Sequence, residues 1–166
     1  MLVKLMPDYI KEHWDFLSLC VLYSLPEFAP RDEKLKARLF KSCMDGSLEM
    51  WTYTKEDDAG NPVLHIVSTT MIQGDPTIGN RDLLIYTFYL LNECPEEYWQ
   101  DALGGLIKYA YAQQCNFVTA YTKRSRIVNF LRKMPHIGEI SYFTLPVAKA
   151  IEGAKQPSIS DKGGSS

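Results

Sequence analysis

The stretch Leu83-Leu84-Ile85-Tyr86-Thr87-Phe88-Tyr89-Leu90-Leu91 is apolar at nearly every position. It is far too short for a helix that crosses a bilayer, which takes roughly 20 apolar residues. Its brevity and its aromatic content mark it as a strand buried on both faces. Such a strand needs a sheet beside it and helices over both faces of that sheet. The chain is therefore expected to be α/β, and its other segments supply the partners.

Leu2 to Met6 alternates as a short first strand. Asp8 stands where a helix N-cap would, and Ile10, Trp14, Leu17 and Val21 follow at helical spacing up to Pro26. Pro30 and Asp32 open a second helix with Leu35, Leu39 and Cys43 on its apolar face, ending at Asp45-Gly46. Leu48–Thr54 and Val63–Met71 read as a hairpin across the polar turn 56–62. Residues 73–80 read as a longer loop. Beyond the central strand, Pro95 opens a helix whose buried stripe is Trp99, Leu103, Leu106 and Ala110. Phe117–Tyr121 is a short strand, Ser125–Met134 a helix, and Ile140–Val147 a last strand. Residues 1–150 make one domain, and 151–166 a polar, flexible tail that cannot bury enough surface to fold by itself.

Charge and cysteine usage narrow the partners. The formal net charge is -2, so no global positive field draws nucleic acid. No apolar run is long enough for a membrane span, and Met1–Pro7 is too short for a signal peptide's apolar region. A cytoplasmic protein, in a cell or in something assembled within one, is expected. The four cysteines, Cys20, Cys43, Cys94 and Cys115, show no metal-ligand spacing and are read as reduced. His13, His65 and His136 are scattered, so no metal site is expected.

The order strand, helix, helix, three strands, helix, strand, helix, strand resembles the GCN5-related N-acetyltransferase (GNAT) family over residues 2–147. The resemblance implies a mixed central sheet with splayed fourth and fifth strands, flanked by about four helices. It implies that Phe117–Tyr121 lies parallel to Leu83–Leu91 and diverges toward its C-terminal end. In that family acetyl-CoA lies in the resulting gap. A loop of the form Q/R-x-x-G-x-G/A holds its pyrophosphate at the start of the next helix.

Here the matching residues run Asn92-Glu93-Cys94-Pro95-Glu96-Glu97-Tyr98-Trp99-Gln100-Asp101. Glycines that let backbone approach phosphate are missing, and Pro95 has no N–H. Glu93, Glu96, Glu97 and Asp101 already place negative charge at the positive end of the helix. Each close carboxylate would oppose an arriving phosphate by about 1 kcal/mol in water. Gly104-Gly105 is read as a pair of small residues that lets the helix approach the sheet. The family's general-acid tyrosine falls on Leu131 or Phe130, which carry no proton; Tyr121 is the nearest hydroxyl, and reads first as a half-buried sheet tyrosine. Asp82 reads as a solvated strand-end charge.

These departures set the functional expectation. It is a non-catalytic GNAT-like structural or interaction subunit, with no catalytic residue and no cofactor; the resemblance to GNAT-like bacteriophage proteins with eroded acetyl-CoA loops implies a component of a phage particle, located in the virion. The alternative is a divergent acetyl-CoA-dependent N-acyltransferase, with Lys123, Arg124 and Arg126 as the only dense cation cluster able to hold the cofactor. The candidate partner-binding residues are Lys123, Arg124, Arg126, Tyr109, Tyr111, Glu93, Glu96 and Glu97. A basic patch with Lys108, Arg132 and Lys133, facing an acidic one at 93–97, suits protein partners in a larger assembly, not DNA or a membrane.

Overall fold

The computed structural model describes residues 1–26, 29–75, 77, 79–91, 94–122, 125–133 and 138. The expected last strand Ile140–Val147, the tail 151–166 and the end of the last helix at Met134 lie outside them, as do Glu93, Lys123 and Arg124. The chain divides into two compact units, Met1–Phe130 and Leu131–Ser166. Every described strand lies in the first.

Its sheet runs in the order β1 (Leu2–Lys4), β2 (Glu49–Glu56), β3 (Pro62–Asp75), β4 (Asn80–Leu90) and β5 (Phe117–Ala120). All neighbours are antiparallel except β4 and β5, which are parallel. The mixed sheet is the one expected. The expected loop at 73–80 is instead a tight hairpin: β3 and β4 stay paired out to Asp75 and Asn80. The Asp75 carboxylate accepts from the Thr77 N–H at 2.9 Å, and Gly79 turns the chain at φ 65°. Exposed strand ends keep their main-chain bonds whatever the side chains, so Gln73-Gly74-Asp75 extends the ladder despite its turn-like letters.

The first helical stretch divides into α1 (Pro7–Glu12) and α2 (Trp14–Ser24) at His13, whose φ and ψ are -107° and 19°. The division is slight. His13 N–H bonds Tyr9 O, and Leu17 N–H bonds His13 O, both at 3.1 Å and at helical spacing. Asp8 is not the cap: Met6 occupies that position and Pro7, with its preset φ, begins the helix. In α3 (Glu33–Met44), Asp32 caps as expected, its carboxylate accepting from Leu35 N–H at 2.8 Å. On the far side of the sheet lies α4 (Glu96–Ala112), followed after β5 by α5 (Ser125–Arg132).

Two cores result. Ile10, Leu17, Val21 and Leu39 meet Met50 and Val67 on the α1–α3 face. Leu106 and Ala110 of α4 meet Trp51, Leu83 and Ile85 on the other. Between α4 and α5, Phe130 stands edge-on to Trp99 with centroids 5.6 Å apart, both rings buried.

The glycine pair divides its work. A methyl on Gly105 would stand 2.8 Å from Leu2 Cδ2 and 3.3 Å from Leu2 Cβ, whereas one on Gly104 meets nothing within 4 Å. Only Gly105 is small because β1 is close. Gly104→Ala should therefore gain helix propensity of about 1 kcal/mol and raise Tm by about 2–4 °C. Gly105→Ala should melt below the Gly104 variant, and Leu2→Ala should rescue it. Equal gains in a calorimetric scan of both variants would show that α4 does not lean on β1.

Candidate functional site

Strand β4 keeps β3 along its length but loses β5 part-way. Its pairing with β5 covers only Asp82↔Phe117 to Ile85↔Ala120. Opposite β3, Thr70 pairs with Ile85 and Thr69 with Thr87, so Tyr86 has no counterpart. Tyr86 is a β-bulge, and it stands at the residue where β5 departs. Leu83, Ile85 and Phe88 all face the α4 core, and that break in odd–even alternation is the bulge seen from the side chains.

A bulge leaves part of a ladder unmade, and β3 fills it with hydroxyls. Ser68 Oγ donates to the Thr87 carbonyl at 2.8 Å, and Thr69 Oγ1 and Thr87 Oγ1 share a hydrogen bond of 2.7 Å. Thr70 Oγ1 accepts from Trp51 Nε1 at 2.9 Å. All four hydroxyl residues are buried. Their run, Ser68-Thr69-Thr70 between the apolar pairs Ile66-Val67 and Met71-Ile72, is the signal that reading the sequence missed.

Beyond the bulge, Leu91 N–H bonds the His65 carbonyl at 2.9 Å. Alternation along a strand then points the N–H and C=O groups of Phe88 and Leu90 the other way, toward the edge that β5 has left. Among the described residues no strand pairs with β4 there. The strand is accordingly not buried throughout, as its composition suggested. Leu83, Leu84 and Ile85 are buried, Tyr86 is 37% exposed, and Phe88 to Leu90 are half-buried.

Around this gap the expected site residues take varied places. Glu96 and Glu97 are exposed in the first turn of α4, whose N-cap is Pro95 with no side-chain cap bond. An anion at that end would meet both carboxylates. Tyr121, expected half-buried, is 65% exposed one residue past β5. Phe130 is spent on Trp99. Tyr111 is 84% exposed, whereas Tyr109 turns inward, its hydroxyl donating to Glu49 Oε1 at 2.5 Å and its ring edge-on to Trp51. Arg126 lies on α5, and Asp82, expected in solvent, has a buried Oδ1 with no hydrogen-bond partner among the described residues.

Other chemistries find little support. Burial pushes the Cys43 thiol up to about 11 and raises Cys20 as well, so neither is a ready thiolate. The described residues hold no group of three metal-ligating side chains, and no helix among them is long and apolar enough to cross a membrane. An open groove of about 530 Å³ runs between α4 and the β1–β2 edge, lined by Lys55, Gln100, Asp101, Gly104 and Lys108 among others. None of its lining residues belongs to β4 or β5, and Asp101 already accepts from Tyr53 Oη at 2.7 Å.

Solved structures match this arrangement. A predicted acetyltransferase from Clostridium acetobutylicum, solved with acetyl-CoA, superposes at a TM-score of 0.63 with 13% identity, over 90% of this chain and 97% of its own. AAC(6')-Iy, in complex with a CoA-containing bisubstrate analogue, gives 0.63 with 9% identity over 88% and 95%. The ribosomal-protein-alanine N-acetyltransferase of Brucella melitensis gives 0.60 with 12% identity over 88% and 99%. The fold is that of the GNAT acetyltransferases. No family model matches the sequence, and no curated protein matches it significantly.

Two expectations are corrected by these findings. A non-catalytic phage subunit does not describe the GNAT neighbours, which are acetyltransferases. The expectation of no cofactor is overturned on the same ground, since two of them were solved with acetyl-CoA or a CoA analogue. The losses at the pyrophosphate loop and at the general-acid position do not bear on the edge of β4, which the described residues leave without a β5 partner beyond Ile85.

Two predictions follow from the polar contacts. Thr69→Val leaves the Thr87 hydroxyl buried without its partner and should cost about 1–3 kcal/mol. The Thr69→Val/Thr87→Val pair should recover much of that in denaturant unfolding, and strict additivity would refute the shared bond. The second concerns pH. Burial, and then donation to Asp101, raises the Tyr53 hydroxyl above tyrosine's ordinary value of 10.0. The unfolded chain therefore releases this proton first as pH rises. The stabilising contribution is complete below pH 10 and is lost above it. Tyr53→Phe should make the fall in unfolding free energy above pH 10 shallower than in the parent.

Proposed function

We propose that this chain is an acyl-CoA-dependent N-acetyltransferase whose acyl-pantetheine arm lies along the open edge of β4. The observation that carries the reading is the coincidence of the Tyr86 bulge with the end of β4–β5 pairing at Ile85↔Ala120. An extended amide-bearing arm can take hydrogen bonds from the Phe88 and Leu90 main chain as a further strand would. When bound, acetyl-CoA would supply an acyl group already activated as a thioester.

The residues present fit one part of that cofactor and not another. The edge of β4 suits the arm. The start of α4, with Glu96 and Glu97 exposed in its first turn, does not suit a pyrophosphate. We assign the anionic end to Lys123, Arg124 and Arg126, the cluster that precedes and opens α5. Tyr86 and Tyr121, each one residue past the last β4–β5 pair and both exposed, are the hydroxyls that flank the mouth of the gap along the chain. The substrate class is a primary amine.

Calorimetry with acetyl-CoA should show micromolar binding, and a panel of amines should reveal turnover. Ala120 is exposed at the last paired position, so Ala120→Trp should fill the mouth and weaken binding at least tenfold with Tm unchanged. Changing Lys123, Arg124 and Arg126 together to Ala should weaken acetyl-CoA but leave acetyl-pantetheine untouched. No binding of either compound at millimolar concentration, with no turnover, would end the enzymatic reading.

A further inference from the structure

We propose that the outer edge of β1, with the groove beside it, takes an extended acidic segment of a partner protein as an added strand. Neither β4 nor β5 contributes, so the proposal is independent of the acetyltransferase reading. Strand β1 is the edge of the sheet. In an antiparallel ladder, facing residues exchange main-chain bonds at every second position. Thr54 N–H bonds Met1 O at 3.1 Å and Leu5 N–H bonds Met50 O at 2.8 Å, so positions 1, 3 and 5 face β2. Leu2 and Lys4 therefore turn their N–H and C=O groups outward, and among the described residues no strand pairs with them there.

The groove lies beside that edge. It holds about 530 Å³, with Met1 and Leu2 on one wall and positions 100 to 108 of α4 on the other. Those nine helical positions span about 12 Å, the length of three or four extended residues. Gly104 stands in the middle of this wall. A glycine inside a helix costs stability, and the reason that keeps Gly105 small, the closeness of Leu2, does not apply to Gly104, where a methyl meets nothing within 4 Å. An added strand supplies the missing reason, because its side chains would lie against a helix flank left bare at that point.

Charge decides the occupant. Lys55 and Lys108 line the groove and are both exposed, the Lys55 ammonium 5.7 Å from the Tyr98 ring centroid. Asp101, the acidic residue of the lining, already accepts from Tyr53 Oη at 2.7 Å. Lys4, paired with Glu49, adds a cation on the edge strand itself. A second copy of β1 would bring the same lysines against these, and lysine on an edge strand is the ordinary guard against such pairing. Carboxylates at alternate positions of a partner strand meet the lysines with opposite sign, while main-chain bonds to Leu2 and Lys4 hold the strand in place.

Fluorescence anisotropy should show the full chain binding a labelled octapeptide of alternating Glu and Val roughly tenfold tighter than its Lys-Val counterpart. Lys55→Glu with Lys108→Glu should reverse that order. Gly104→Leu, which leaves every charge in place, should weaken the Glu-Val peptide severalfold while retaining the parent's far-UV circular dichroism. Main-chain pairing has its own readout on the unaltered chain. N-methylation of alternate residues removes the donors from one edge of the peptide only, so one of the two methylated registers should lose binding and the other keep it. Both registers behaving alike would overturn the proposal, since attraction by charge alone does not distinguish them. Equal binding of the Glu-Val and Lys-Val peptides, or no binding of either at millimolar concentration, would overturn it equally.

Discussion

The extra residue at Tyr86 governs how this sheet can be used. A strand has two edges, and β4 gives one of them to β3 along its whole length. The bulge rotates the backbone beyond Ile85 relative to the part before it, and β5 no longer follows. Main-chain donors and acceptors at Phe88 and Leu90 are then left at an edge inside the sheet's hydrogen-bonding plane. Exposed edge groups are ordinarily a liability. Here the edge is short, running from the bulge to the end of β4. The hydroxyls of Ser68, Thr69 and Thr87 hold the irregularity in place, so that the gap is part of the fold and not a fraying end.

The helix over that sheet is fixed by polar bonds as well as by its apolar stripe. Tyr53 and Tyr109 join the sheet and α4 from opposite partners: Tyr53 reaches from β2 to Asp101, and Tyr109 reaches back from α4 to Glu49. Lys4 of β1 closes the second contact through Glu49 and lies 5.6 Å from the Tyr109 ring. Both phenols are protonated at neutral pH as any tyrosine is, and burial with the neighbouring carboxylate extends that state above pH 10. Hydrogen bonds to charged acceptors contribute about 1.5–3 kcal/mol each. They lock α4 along its axis, which an apolar stripe alone does not do. With Gly105 against Leu2, the helix has three points of registry on β1 and β2.

Much of the architecture was legible because local chemistry and global placement agreed. The apolar run 83–91 is β4, Asp32 caps α3, and Gly46 at φ 78° follows the end of that helix. What was not legible depends on pairings distant in sequence. Tyr53 and Asp101 are 48 positions apart, and neither is unusual in its own neighbourhood. The bulge is a relation between two strands, and a count along β4 alone cannot reveal that β3 has one residue fewer. Tyr121 was read as half-buried on the assumption that β5 continued, whereas the strand ends at Ala120. The cation cluster at 123–126 was visible as composition; Lys123 and Arg124 lie outside the described residues.

The acidic start of α4 also bears on the proposed chemistry. Glu96 and Glu97 in the first turn stabilise the helix through its dipole, by about 0.3–1 kcal/mol each where exposed. A helix start that must receive phosphate gives up that contribution, because its positive end has to be left for the ligand. The two uses exclude one another, and this chain has taken the first. The open edge of β4 does not share the conflict, since neutral main-chain groups bind an amide arm regardless of the charge at the end of α4. The main-chain edge and the helix start are thus independent features of the fold, and carboxylates at the second leave the first unaltered. In the sequence Lys123, Arg124 and Arg126 fall around the first residue of α5, Ser125, and cations there oppose a helix dipole, so helix stability does not explain their choice.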